Sequence, residues 1–137
     1  MSFYDVEVAS GKTVGVTILS NKRIAIEIVF DDDPHFSSCA FDDVTIEQLE
    51  SCENIFRQAT VTARSGDVER FRLPVNGPLQ FTLLVGSGSV NLEVYSNECD
   101  FLCSAVSPEL VEKIADVFHQ AYLEVAGTKS GMGSRHD

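Results

Sequence analysis

Hydrophobic and polar residues alternate along the first part of the chain, in segments separated by short polar turns. In segment 3–9, Val6 and Val8 fall on one side of an extended chain and Asp5 and Glu7 on the other. Segments with this alternation and many β-branched residues are typical of antiparallel strands joined by hairpins. The pattern predicts four strands, at 3–9, 13–20, 23–30 and 35–41.

The period then changes to that of an amphipathic helix. Thr45 followed three residues later by Gln48 matches a capping box, which predicts a helix start. Apolar residues then recur every three or four positions, as they do on the buried side of a helix. These residues are Leu49, Cys52, Phe56, Ala59 and Ala63.

The same order of elements follows a second time. Segments 68–75, 79–85, 89–96 and 99–106 read as strands, and 107–127 as a helix. Ser107 is placed to cap this helix, Pro108 suits its first position, and Gly127 suits its end. Its apolar positions are those of the first helix shifted by 62 residues: Val111, Ile114, Phe118, Ala121 and Val125.

Aligning 44–63 with 106–125 supports a tandem repeat. Unrelated segments of this length share about one identity, whereas these share the six that follow. They are Val44/Val106, Glu47/Glu109, Glu50/Glu112, Phe56/Phe118, Gln58/Gln120 and Ala59/Ala121. We therefore predict an α+β fold, ββββα–ββββα, with antiparallel sheet or sheets and two helices packed on one face. The competing explanation is that two amphipathic helices look alike because both pack on a sheet.

The predicted domain spans residues 1–127, with repeats at about 1–63 and 66–127. Residues 128–137 are rich in glycine, serine and charge, and are expected to form a flexible tail. The sheet side opposite the helices is less polar than expected for a solvated face, which would fit a subunit contact such as a homodimer. It carries Leu19, Ala25, Val29, Leu84 and Tyr95.

The composition limits the classes of partner that this protein is expected to bind. The 137 residues are 44% hydrophobic, and 10 basic against 21 acidic residues give a formal charge of −11. Such a field repels nucleic acid and anionic membranes and attracts a basic protein, although acidity also serves solubility alone. No apolar run reaches the ~20 residues of a membrane span and the first residues lack a signal pattern, so we expect a cytoplasmic protein.

Four cysteines, Cys39, Cys52, Cys99 and Cys103, are expected to be reduced and structural. Cytosolic disulfides are rare, and a buried thiol behaves as a small hydrophobic group. A zinc site usually needs two close pairs of ligands, and only Cys99 and Cys103 are closely spaced. The sequence predicts no metal and no cofactor.

No motif in the sequence predicts catalysis, so we do not expect this protein to be an enzyme. The Gly-x-Gly of segment 85–90 lies between two strands rather than before a helix, which indicates a hairpin and not a phosphate loop. His35, His119 and His136 are scattered. Cys39 lies near His35 in the sequence, but no orienting group accompanies them for nucleophilic catalysis.

The most informative segment is 30–36, FDDDPHF, because the shift between the repeats falls from 66 before it to 62 after it. The first repeat therefore carries about four additional residues there, in a predicted loop, and repeat-specific insertions often lie on a binding face. A calcium loop would space its ligands around a glycine, which is absent. The alternative to a binding role is that this segment is simply a solvated turn. The candidate binding residues are Asp31, Asp32, Asp33, Asp42, Asp43, Glu47 and Glu50.

Together these features predict a small, acidic, non-enzymatic module that masks a basic protein surface, as inhibitors, immunity proteins and dedicated chaperones do. The alternative is a small-molecule-binding or catalytic domain with a pocket between the two repeats.

Overall fold

A computed structural model describes residues 1–32, 35–76, 80–95 and 101–134, leaving out the side chains of 30–32, 35–37, 39, 101 and 128–134. It confirms the predicted order of elements. The first half contains β1 (Ser2–Ala9), β2 (Lys12–Ile18), β3 (Ile24–Asp32), β4 (His35–Phe41) and helix α1 (Ile46–Arg64). The second half contains β5 (Glu69–Arg72), β6 (Gln80–Gly86), β7 (Ser89–Tyr95), β8 (Phe101–Val106) and helix α2 (Pro108–Ser134).

Each half forms its own antiparallel sheet, with strands in sequential order. The β6–β7 connection shows how two consecutive strands become neighbours. Ser87 and Gly88 both have positive φ, at 54° and 78°, as a two-residue turn matched to the twist of the strands requires. The Gly-x-Gly segment is therefore a hairpin turn, as predicted.

Strand alternation separates an inner from an outer side of each sheet. In β2, Val14, Val16 and Ile18 are buried, and the same holds for Phe81, Leu83 and Val85 in β6. In β1, Asp5 and Glu7 point to the opposite side and are exposed. The inner sides of both sheets and the apolar sides of both helices form one continuous core.

The two helices begin as predicted. Thr45 Oγ1 accepts a hydrogen bond from Gln48 N at 3.0 Å, and Thr45 N donates to Gln48 Oε1 at 2.9 Å, which completes the capping box. In α2, Leu110 N donates to Ser107 Oγ at 3.2 Å. All ten positions of the two predicted apolar stripes are buried: Leu49, Cys52, Phe56, Ala59, Ala63, Val111, Ile114, Phe118, Ala121 and Val125.

The helices are exchanged between the halves. Helix α1 packs mainly against β5, β6 and β7 of the second sheet, whereas α2 packs mainly against β1 and β2 of the first. The two helices also pack closely against each other. Each sheet is therefore covered largely by the helix of the other repeat, an arrangement that apolar periodicity alone cannot reveal.

Four phenylalanine rings join the layers at the centre. The Phe56 ring of α1 lies 5.1 Å from that of Phe118 in α2 and 6.1 Å from that of Phe81 in β6. Phe81 stacks on Phe41 of β4 at 5.9 Å. Because all four are at most 1% exposed, each contributes about 1.5–3 kcal/mol through burial. This cluster fixes both sheets to both helices.

Two predicted boundaries are wrong. The second helix was predicted to end at Gly127, but α2 continues to Ser134, through seven residues assigned to the tail. Glycine costs a helix only about 1 kcal/mol relative to alanine and does not force an end. Asp31 and Asp32 were predicted in a loop, but they belong to β3, where they pair with Phe36 and His35 of β4. The pairing of β3 with β4 therefore continues beyond the apolar residues from which the end of β3 was predicted.

Candidate functional site

Four of the seven candidate residues lie together where β4 leads into α1. Asp42, Asp43, Glu47 and Glu50 are all exposed, and we call this group the acidic end of α1. Asp42, Glu47 and Glu50 form no ion pair with any side chain that the structure describes. Glu47 lies in the first helical turn, where the helix dipole stabilises a carboxylate.

Asp43 differs from its neighbours because it already has a partner. Arg23 Nε donates to Asp43 Oδ1 at 3.0 Å, and Asp43 adopts a positive φ of 56°. This residue therefore has a structural task in the turn before α1. The side chains of Asp31 and Asp32, and the whole of Asp33, lie outside the described residues, so the structure leaves this part of the candidate surface as a prediction.

A depression lies on the outer side of the first sheet, the side turned away from its core. Its volume is about 190 Å³, and it crosses β1, β2 and β3 with Gly15 at its centre. Asp5 and Glu27 flank Gly15 in the strand register on either side. The residues that line this Gly15 depression are Phe3, Tyr4, Asp5, Thr13, Gly15, Val16, Thr17, Glu27 and Val29.

Space, and not backbone conformation, requires a glycine at position 15. A Cβ atom built there would lie 2.6 Å from Tyr4 O and 2.7 Å from Asp5 Cβ, inside van der Waals contact. Strands β1 and β2 thus approach each other closely at this point, and the missing side chain creates the floor of the depression. A lone glycine inside a predicted strand was the sequence signal for it, and the sequence interpretation passed over it.

A polar cluster links the two helices. Glu53 of α1 is only 7% exposed, and its Oε2 accepts a hydrogen bond from Arg57 Nε at 2.9 Å. Its Oε1 lies 3.1 Å from Nδ1 of His119 in α2, and Arg57 also donates to Asp116 of α2 at 3.2 Å. Although partial burial opposes it, hydrogen bonding to Glu53 and Asp116 raises the pKa of Arg57, which keeps the guanidinium charged.

Position 57 and position 119 correspond in the repeat alignment, so Glu53 joins two equivalent sites across the pseudo-symmetric helix pair. From the sequence, His119 is only one of three scattered histidines, and Glu53 is not among the candidate residues. Its spacing from Leu49 and Phe56 puts Glu53 beside the apolar stripe, which was the available signal. The Arg57 guanidinium pairs with both carboxylates of the cluster, as expected for a polar network with a structural role.

A second concavity lies between the repeats. Helix α1 and strand β5 enclose an open groove of about 340 Å³, lined by Arg57, Gln58, Val61, Thr62, Glu69 and Phe71. This volume is within the range of small-molecule sites. The groove is open, and the Arg57 guanidinium in its lining is already held by Glu53 and Asp116.

Cys52 and Cys103 are free and buried, as expected for structural thiols. Burial raises the pKa of Cys52 to about 12, which suppresses its thiolate and with it nucleophilic reactivity. The Cys39 side chain and Cys99 lie outside the described residues, as do the His35 side chain and His136.

Within the described part of the chain, no helix combines the length and apolar character needed to cross a bilayer. No group of three or more histidine, cysteine or carboxylate side chains in the same residues is arranged to hold a metal ion. No protein-family profile, curated protein or solved structure matches this chain.

Proposed function

We propose that this protein is a non-enzymatic binding module that masks a basic surface of a partner protein, in the manner of an inhibitor, an immunity protein or a dedicated chaperone. The acidic end of α1 carries the proposal. Asp42, Glu47 and Glu50 are exposed and lack counterions among the described side chains. A basic partner surface would supply those counterions and would be steered toward them.

The distribution of cations supports the same reading. Arg57 and Arg64 are held between the helices by Asp116 and Glu112, and Arg23 is held by Asp43. These arginines pair with carboxylates of the same chain. The excess of acidic residues, 21 against 10, is therefore left for surfaces such as the acidic end of α1.

The repeat supplies a matched control for the experiment. Glu109 and Glu112 of α2 correspond to Glu47 and Glu50 of α1, but they lie 4.0 and 3.1 Å from Arg64. Neutralising either pair by Glu→Gln changes the net charge equally. Only E47Q/E50Q removes carboxylates that are unpaired among the described residues.

The test is capture from extracts of the native host by immobilised protein, with identification by mass spectrometry. We expect a protein with a strongly basic surface to be retained by the wild type and by E109Q/E112Q, and to be lost by E47Q/E50Q and at high salt. Equal retention by both variants, or retention of acidic proteins only, would contradict the proposal.

We further propose that the protein is cytoplasmic, where its free, buried Cys52 and Cys103 would remain reduced.

A further inference from the structure

The Gly15 depression has a chemical character that the acidic end of α1 lacks. Asp5 and Glu27 stand on opposite sides of it, and neither forms an ion pair with a described side chain. Val29 on β3 and Phe3 on β1 add an apolar and an aromatic wall. Two carboxylates beside apolar walls fit a ligand that has a cationic head and a hydrocarbon stem.

Glu27 is held in position by its neighbour. Thr17 is only 6% exposed, and its hydroxyl donates a hydrogen bond to Glu27 Oε1. This bond fixes the carboxylate against the sheet and leaves Glu27 Oε2 without a partner among the hydrogen bonds of the described residues. A half-buried carboxylate with one committed oxygen is prepared to accept a charged donor.

Phe3 adds an aromatic surface at the rim. It lines the depression but remains 64% exposed, which is unusual for a residue of this size. A planar cation can stack on such a ring while donating hydrogen bonds to a carboxylate, and arginine does both better than lysine. The volume of about 190 Å³ corresponds to roughly six water molecules at ~30 Å³ each, enough for one side chain.

We propose that the Gly15 depression binds a single arginine side chain of the basic partner. The assignment of this arginine to a basic partner rests on the proposed function. The test of the site does not, because it needs no partner protein. Glu27 is opposite Ala40 in the β3–β4 ladder, and the acidic end of α1 begins two residues later at Asp42. One partner surface can therefore reach both sites.

The second sheet provides the control. Glu93 of β7 corresponds to Glu27 of β3 at the shift of 66, but the residue opposite Glu93 in the β6–β7 ladder is Thr82, whereas Gly15 is opposite Glu27 in the β2–β3 ladder. Glu93 is also half-buried on the outer side of its sheet, and it accepts a hydrogen bond from the Tyr95 hydroxyl. It thus offers the same carboxylate without the glycine floor.

The experiment titrates the full chain with acetyl-arginine methylamide and follows backbone amide chemical shifts. We expect saturable shifts at Gly15 and Glu27, no saturable shift with acetyl-norleucine methylamide, and weaker binding of acetyl-lysine methylamide. Glu27→Gln should weaken arginine binding about tenfold or more, because it removes a charge-assisted hydrogen bond. Glu93→Gln should leave it unchanged.

A second variant keeps the proposal testable if Glu27→Gln does not fold. Phe3 is exposed, so Phe3→Leu should keep the fold and the apolar bulk while it removes the aromatic face, and it should weaken binding several-fold. Shifts that are absent in the wild type, or equal in Glu27→Gln, would overturn the assignment. Gly15 shifts that depend on protein concentration without probe would assign the face to a second copy of this chain and also overturn it. Since the probe needs no partner, its failure is separate from failure of partner capture by the acidic end of α1.

Discussion

Asp43 and Ala105 adopt the same left-handed backbone conformation, with φ of 56° and 57°. They are 62 residues apart (105 − 43), the shift that aligns the two helices. Each is followed by a buried valine, Val44 or Val106, and then by the residue that caps the helix. Aspartate and alanine share no side-chain chemistry, so the retained feature is the path of the chain from sheet to helix. This favours duplication over chance similarity of two amphipathic helices.

The shared conformation predicts a stabilising substitution. Alanine in the left-handed region is strained by about 1–2 kcal/mol, while glycine there costs about 0.4–1 kcal/mol through unfolded-state entropy. Ala105→Gly should therefore raise the free energy of unfolding by roughly 0.5–1 kcal/mol, measured by urea denaturation. Ala40→Gly, in β4 at ordinary backbone angles, should lower it by a similar amount. A loss of stability in Ala105→Gly would show that the turn is not strained.

The exchanged helices predict that the halves depend on each other. A fragment of residues 1–66 would expose the side of its sheet that α2 covers and the apolar stripe of α1 together. We expect the fragments 1–66 and 67–137 to be unfolded separately by circular dichroism and to fold when mixed. A cooperative thermal transition in either isolated fragment would show that its own helix can replace the exchanged one.

Much of this fold is accessible from the sequence because strands and helices have different apolar periods. The stripes of Leu49–Ala63 and Val111–Val125 and the caps Thr45 and Ser107 are local features, and local chemistry determines them. Which sheet each helix covers is a tertiary choice that periodicity does not encode. The acidic end of α1 could be predicted because its four carboxylates lie within nine consecutive residues, 42–50. The Gly15 depression was missed because it joins three strands.

The carboxylate between the helices should matter for stability. Glu53→Gln keeps the shape of the side chain but removes the charge that pairs with Arg57 and faces His119. Because Glu53 is 7% exposed, we expect a loss of about 1–2 kcal/mol in the free energy of unfolding. Glu112→Gln breaks an exposed pair with Arg64 and should cost less than ~0.5 kcal/mol. Equal effects would mean that Glu53 is effectively solvated.

One hydrogen bond should shape the pH dependence of stability at both extremes. The Tyr4 hydroxyl donates to Glu124 Oε1, which raises the pKa of Tyr4 and lowers the pKa of Glu124. The lowered carboxyl pKa contributes stability above about pH 4 that is lost as pH falls through the folded-state value. The raised tyrosine pKa contributes stability below about pH 10 that is lost as pH rises through its folded-state value.

Tyr4→Phe should therefore lower stability between these limits and flatten both limbs of the pH profile, measured by urea denaturation from acid to alkaline pH. Tyr122→Phe serves as the control, because that ring stacks near His119 and no hydrogen bond from its hydroxyl occurs among the described residues. Unchanged limbs in Tyr4→Phe would show that the bond to Glu124 does not persist in solution.

The central claim is that the acidic end of α1 binds a basic partner. With the captured partner purified, the most direct test is its association rate constant with the wild type, E47Q/E50Q and E109Q/E112Q at low and high ionic strength. We predict that E47Q/E50Q associates several-fold more slowly at low salt, that the difference disappears at high salt, and that E109Q/E112Q stays close to the wild type. Equal association rates for all three proteins at low salt would contradict the claim.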